Sequence, residues 1–197
     1  MISRIAVMAL IVGLSACSGM GVKGDRSIER NGDVYVDLLE LKVQLQSRGS
    51  MDHDLMTTTL QRLTAEARWL GLADYYYLEG TQSFLTMGAG GLDSENYQQA
   101  LRSLELSAQY YDDLDEEWLQ AQSMWMLALT NMRAGKPDET CDYYNRTLKL
   151  LNRPSGKLKE FNYEHEKFEA PQDYVKGVLG EACSILEAQK TVAKNSQ

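Results

Sequence analysis

Few side chains in this sequence are placed to do chemistry together. There are two histidines, His53 in a polar stretch and His165 within Glu164-His165-Glu166. A zinc site takes its ligands from one face at set spacings, and neither histidine has another four residues on or a cysteine close by. Both read as surface residues, and no metal is expected. Glu160, Glu164 and Glu166 are the candidate acids for glycan hydrolysis, which needs two carboxylates flanking the scissile bond at a defined separation. Crowded into one charged stretch, they are equally well explained by solvation. Residues 88–91 are glycine-rich but lack the Lys-Ser/Thr of a phosphate cradle. The acidic run Asp112, Asp113, Asp115, Glu116, Glu117 lacks the spaced ligands and central glycine of a calcium loop, and it precedes a helix start, where carboxylates are stabilised anyway. Tyrosines cluster at 75–77, 110–111 and 143–144, where inter-helix space has to be filled. No nucleophile elbow, P-loop or dinucleotide fingerprint occurs, so the chain reads as a non-enzyme without a cofactor.

The cysteines are more informative. Arg4 supplies a positive start, residues 5–14 are apolar, and Leu14-Ser15-Ala16-Cys17 ends the run with small residues before a thiol. Such a run is too short to span a bilayer and has the layout of a secretory signal. Its ending resembles the lipobox of bacterial lipoproteins; an ordinary signal peptide or an apolar helix with a chance cysteine are the alternatives. The resemblance implies removal of residues 1–16 and a diacylglycerol on Cys17. With Ser18 rather than Asp following, it also implies sorting to the periplasmic face of the outer membrane in a Gram-negative cell. Several acyl chains anchor stably, since each buried methylene contributes ~0.8 kcal/mol. Residues 17–32 hold the lipidated cysteine and a tether, with four glycines in 18–32.

Losing Arg4 moves the formal charge from −8 to −9. An acidic chain with scattered Lys and Arg is a poor polyanion binder, and no nucleic-acid contact is expected. About 180 residues remain, enough for one domain.

The elements that must position everything else centre on residues 119–151. Leu119, Met126 and Leu129 recur at helical spacing, with Ala121, Trp125, Ala128 and Met132 alongside and Gln122 outside. Arg133-Ala134-Gly135 is a helix exit, and Pro137-Asp138-Glu139 is a helix start. The next helix presents Cys141, Tyr144, Leu148 and Leu151, and so short a turn makes the two helices antiparallel neighbours. This stretch resembles a tetratricopeptide repeat, with Ala128 at the small first-helix position and Tyr144 at the aromatic one. Thr140 and Thr147 replace the usual alanines, which predicts looser contacts there. A second copy lies upstream, with Gly80 as its small residue and Tyr97, Ala100, Leu104 and Ala108 in its second helix. Its internal turn is long, and the two copies are further apart than the family's period of about 34 residues.

Around these repeats, at about 75–111 and 118–152, the sequence predicts an all-α domain over 33–193. Asp33 is a candidate cap for a helix over 34–46 (Val34, Leu38, Leu41, Leu45), although Leu39, Leu41, Val43 and Leu45 also alternate as in a strand. Asp52 caps a second helix reaching 69–70, with Leu55, Leu60, Leu63 and Ala67 inward, which Gly71 ends or bends. This N-terminal hairpin is a third repeat or a cap. Residues 153–172, with Phe161, Tyr163 and Phe168, form an irregular loop of a length often tied to function. A capping helix over 173–193 follows, with the stripe Tyr174, Val178, Ala182, Ile185 and Leu186.

The whole reads as a short tetratricopeptide-like solenoid. With Cys17 acylated, Cys141 and Cys183 are an even pair in an oxidising compartment. They are either a disulfide between last repeat and capping helix or two separately buried thiols. The resemblance implies that Tyr77, Gln82 and Trp125 line a concave groove for a peptide segment. The expected function is a lipid-anchored adaptor for an envelope protein partner, an accessory of a secretion, pilus or outer-membrane assembly machine. The alternatives are a glycan-processing or peptidoglycan-associated protein working through the 153–172 loop, or a self-assembling structural subunit.

Overall fold

The computed structural model describes residues 30, 32–87, 95–153 and 169–195. The signal, Cys17, most of the tether, the glycine-rich residues 88–91, His165 and the three loop glutamates lie outside the described residues. Seven helices occupy what is described: α1 Asp33–Arg48, α2 His53–Ala65, α3 Trp69–Thr86, α4 Glu95–Asp113, α5 Glu117–Arg133, α6 Pro137–Leu151 and α7 Pro171–Asn195. The all-α expectation holds for these residues. Each helix packs on its neighbour in sequence; α1 also packs on α3 at least as closely as on α2, and a sparser contact links α3 to α5.

In α1 the helix prevails over the strand reading. Val34, Tyr35, Leu38, Leu41 and Leu45 are buried on one face. Asp33 is the first helical residue rather than the cap; Gly32, at φ +87°, occupies the cap position without a side chain. Asp33 still sits where the helix dipole favours an anion. Gly49, at φ +73°, closes the helix with its N–H on the Leu45 carbonyl at 2.9 Å. Asp52 caps α2 as expected, its carboxylate accepting from the Leu55 N–H at 2.8 Å.

The break after α2 comes earlier than Gly71. Residues 66–68 turn the chain, with Ala67 at φ +50° and the Arg68 N–H bonded to the Leu63 carbonyl. Ala67 therefore belongs to the turn and not to an inward stripe, and the first helix of the upstream pair begins at Trp69 rather than near 75. The same connection recurs twice. Asp115, at φ +56°, and Gly135, at φ +72°, lead into Glu116 and Lys136, whose N–H groups reach back to the carbonyls of Tyr111 and Asn131. This is the closure of a Schellman-type helix end, which needs one left-handed residue. A left-handed alanine carries a steric cost that glycine avoids. Ala67→Gly is accordingly expected to stabilise the fold by about 0.5–1 kcal/mol, less than the relief of strain alone because glycine also loosens the unfolded chain. A higher urea midpoint at unchanged slope is the check.

Gly71 lies inside α3 and has a packing role: a β-carbon there would stand 2.3 Å from Leu63 Cδ2. The core then runs as successive clusters along the stack. Leu41, Leu63 and Tyr75 join α1, α2 and α3, whereas Leu70, Tyr111 and Trp118 join α3, α4 and α5. A larger cluster built on Leu104, Leu127, Leu151 and Val175 spans α4 to α7. Eleven of the seventeen residues of α5 are buried, which makes it the hub of the stack. Leu127 is central there, whereas Met132, placed beside the apolar stripe on sequence, is 47% exposed.

Thr140 and Thr147 face the interior from α6. Both are buried, and their hydroxyls donate to the carbonyls of Lys136 and Tyr143, so the polar atoms are satisfied within their own helix. In α7 the buried stripe is Val175, Leu179 and Cys183, with Tyr174 and Leu186 partly covered. Val178 and Ile185 face outward, at 40% and 52% exposure, because they sit one residue off this stripe on the helical wheel. Cys141 and Cys183 are joined by a disulfide, with their Cα atoms 5.4 Å apart.

Candidate functional site

A cleft of about 990 Å³ opens between α1, α3 and α5. Its α1 wall carries Tyr35, Leu38, Leu39, Lys42, Leu45 and Gln46, a set that one helix face presents at spacings of three and four. The α3 floor carries Asp74, Tyr77, Leu78, Thr81 and Leu85 on the same periodicity. Trp118, Leu119 and Gln122 of α5 form the far side, and Tyr111 and Arg30 close one end. Leu39 and Leu85 are 61% and 47% exposed, so the cleft offers water substantial apolar area.

The polar groups are held in place. Asp74 accepts both arms of the Arg30 guanidinium, from Nε at 2.8 Å and from Nη2 at 2.9 Å, and its Oδ1 also accepts from the Tyr111 hydroxyl at 2.6 Å. Burial, reinforced by the charge of Asp74, holds the Tyr111 phenol well above the ordinary tyrosine range, so it stays a donor. The hydrogen bond from Asp74 likewise holds Arg30 charged. Deeper along the floor, Gln122 Nε2 donates to the Tyr77 hydroxyl at 3.1 Å, and burial raises that phenol too. Beside the cleft, burial pushes Tyr76 up to about 12; its ring stacks on Tyr110 with centroids 6.0 Å apart.

The structure separates the three residues expected to share a groove. Tyr77 lines the cleft. Gln82 is turned toward the α1–α2 connection, where its side-chain oxygen accepts from the Met51 N–H at 2.6 Å. Trp125 is 4% exposed in the core, edge-on to Tyr174 at 5.7 Å, beneath α7. The resemblance assigned these positions by helix and not by angular position, and α5 is buried nearly all round. Asp74 and Leu85 were not singled out on sequence, and Tyr111 and Leu39 were read only as an inter-helix tyrosine and as part of a strand-like alternation. The signal for Leu39 was present: the alternation that made 39–45 strand-like arises because α1 is apolar on two faces, Leu41 and Leu45 inward and Leu39 and Val43 outward.

Arg30 had been assigned to the flexible tether, yet Asp74 fastens it. The acidic run serves the helix ends. Glu116 is buried and accepts from the Trp118 indole N–H, Glu117 pairs with Arg153 at 2.6 Å, and Asp115 makes the turn. His53 is exposed at the start of α2. Among the described residues no group of three or more His, Cys, Asp and Glu side chains converges as a metal site, and no helix is long and apolar enough to cross a membrane. No family model matches the chain, and no curated protein or solved structure is significantly similar to it.

Proposed function

We propose that this chain is a helical-repeat adaptor of the bacterial envelope that holds a segment of a protein partner in the cleft between α1, α3 and α5. The observation that carries the reading is the cleft itself. The first helices of three consecutive helix pairs supply its walls, as in a tetratricopeptide-like solenoid, and aromatic and aliphatic side chains there alternate with fixed polar groups. Grooves of this make-up take extended or helical segments without catalysis. In this reading the N-terminal hairpin is a third repeat and α7 caps the stack. The signal-like and lipobox-like run supports a position at the periplasmic face of the outer membrane, with a tether through a diacylglyceryl Cys17. The Cys141–Cys183 bridge supports an oxidising compartment. Confinement to the membrane raises the effective concentration toward other membrane components, which suits an accessory of a secretion, pilus or assembly machine.

The test is site-specific photocrosslinking in cells. A photoreactive residue at Tyr77 is expected to capture one or a few envelope proteins, and the same probe at exposed His53 is expected to capture none of them. Leu39→Glu and Leu85→Glu should abolish the Tyr77 crosslinks while leaving the fold intact, and Cys17→Ser should remove the protein from the membrane fraction. Crosslinks confined to other copies of the chain, or unaltered by both cleft substitutions, overturn the adaptor reading.

A further inference from the structure

The reading of the cleft as a partner groove leaves the partner's chemistry open, and its charged end narrows the choice. Asp74 presents two oxygens to one guanidinium, and the buried Tyr111 of a different helix orients one of them. That is a prepared fork acceptor, whose geometry suits arginine rather than lysine. What fills it is a residue from outside the helical frame. Arg30 precedes α1, its side chain is 46% exposed, and the chain turns into the helix only at Gly32, with φ +87°. Asp74, by contrast, is 18% exposed and part of α3. Releasing Arg30 moves a half-exposed side chain that belongs to no helix, and the acceptor stays in place on α3.

Resting on the partner-groove reading, we propose that the cleft takes an apolar segment carrying an arginine, which displaces Arg30 from Asp74 and Tyr111. Arg30 is thus an internal stand-in for the partner's residue and an autoinhibitory contact. The exchange is near neutral at the anchor, since one fork replaces an identical one. Net affinity comes from covering Leu39 and Leu85, the large apolar side chains exposed along the cleft. Lys42 on the α1 wall is the cleft's other cation, and it disfavours a segment with further positive charge beyond the anchor.

The experiment is selection of a random peptide library displayed on phage against the full mature chain, in parallel with Arg30→Ala, Asp74→Asn and Tyr111→Phe. The expected result is enrichment of arginine flanked by apolar residues, strongest on Arg30→Ala. An ion pair whose cation is half exposed and lies outside the helices favours its closed state only several-fold, so a selected peptide should bind Arg30→Ala about fivefold tighter than the parent. Its affinity should fall about tenfold on Asp74→Asn, and also when citrulline replaces its arginine. Tyr111→Phe keeps the ring in the core and should weaken the peptide several-fold, which covers a folding failure of Asp74→Asn. Peptides that lose binding on Leu39→Glu but show no arginine enrichment, or are enriched in acidic residues, overturn the arginine anchor and leave the groove standing. If no selection yields a peptide sensitive to Leu39→Glu, the anchor and the groove reading both fall.

Discussion

Replacing both Cys141 and Cys183 by alanine is expected to lower the free energy of unfolding by about 3–4 kcal/mol, the chain-entropy value for a loop of this length. The bridge joins residues 42 apart and ties α7 to α6. α7 has other attachments: Val175 and Leu179 are buried, Gln172 Nε2 donates to the Leu151 carbonyl at 2.7 Å, and Lys190 pairs with Asp138 at 2.7 Å. The last of these is exposed and weak. The helix should therefore stay docked at its N-terminal half and fray beyond residue 183. Urea unfolding of the two proteins measures the total, and hydrogen exchange locates it in 184–195. An unaltered urea midpoint, or exchange that rises evenly along the chain, would count against the bridge as the staple of the terminal helix.

The second large effect is expected where α3 and α4 meet. A β-carbon on Gly80 would lie 2.6 Å from Leu104 Cγ, 3.0 Å from its Cδ2 and 3.2 Å from its backbone nitrogen. Leu104 is fully buried and belongs to the α4–α7 cluster, so its side chain is packed by other core residues. Gly80→Ala gains about 1 kcal/mol of helix propensity, but the overpacking should exceed it and leave a net loss of about 2 kcal/mol. Leu104→Ala alone should cost about 3 kcal/mol through lost burial and the cavity left behind. In the double variant the added methyl enters part of the vacated space. The combined loss should then be about 3 kcal/mol rather than the sum, a coupling of about 2 kcal/mol. A double-mutant cycle by urea denaturation decides it, and strict additivity would mean that the close approach does not set the helix spacing.

The contrast between Gly80 and Gly71 shows where the sequence was legible. Gly80 was readable as a close-approach position because the repeat pattern of its neighbours placed it there. Gly71 looked like a helix end because an isolated glycine before a new apolar run usually is one. The true end is at Ala67, and alanine carries no turn signal. Its left-handed backbone is imposed by the packing of α2 against α3, with Leu63 at the centre, and a local reading has no access to that. The equivalent turn at Gly135 was found because glycine advertises it.

The amino-acid sequence by itself determined the helical class, the pairing of α5 with α6, the cap at Asp52, and Cys141 and Cys183 as a candidate pair. These rest on short-range chemistry: a period of 3.6 residues, side-chain caps and a tight turn act over a few residues and are written in them. Tertiary structure alone decided the rest. It turned Trp125 into the core and Tyr77 into the cleft, chose Val175, Leu179 and Cys183 over Val178 and Ile185 as the docked face of α7, and brought Asp74, Tyr111 and Arg30 to one point. Residues separated by up to 81 positions meet there because the helices pack on one another, and the angle at which they pack is set by the sum of many buried contacts.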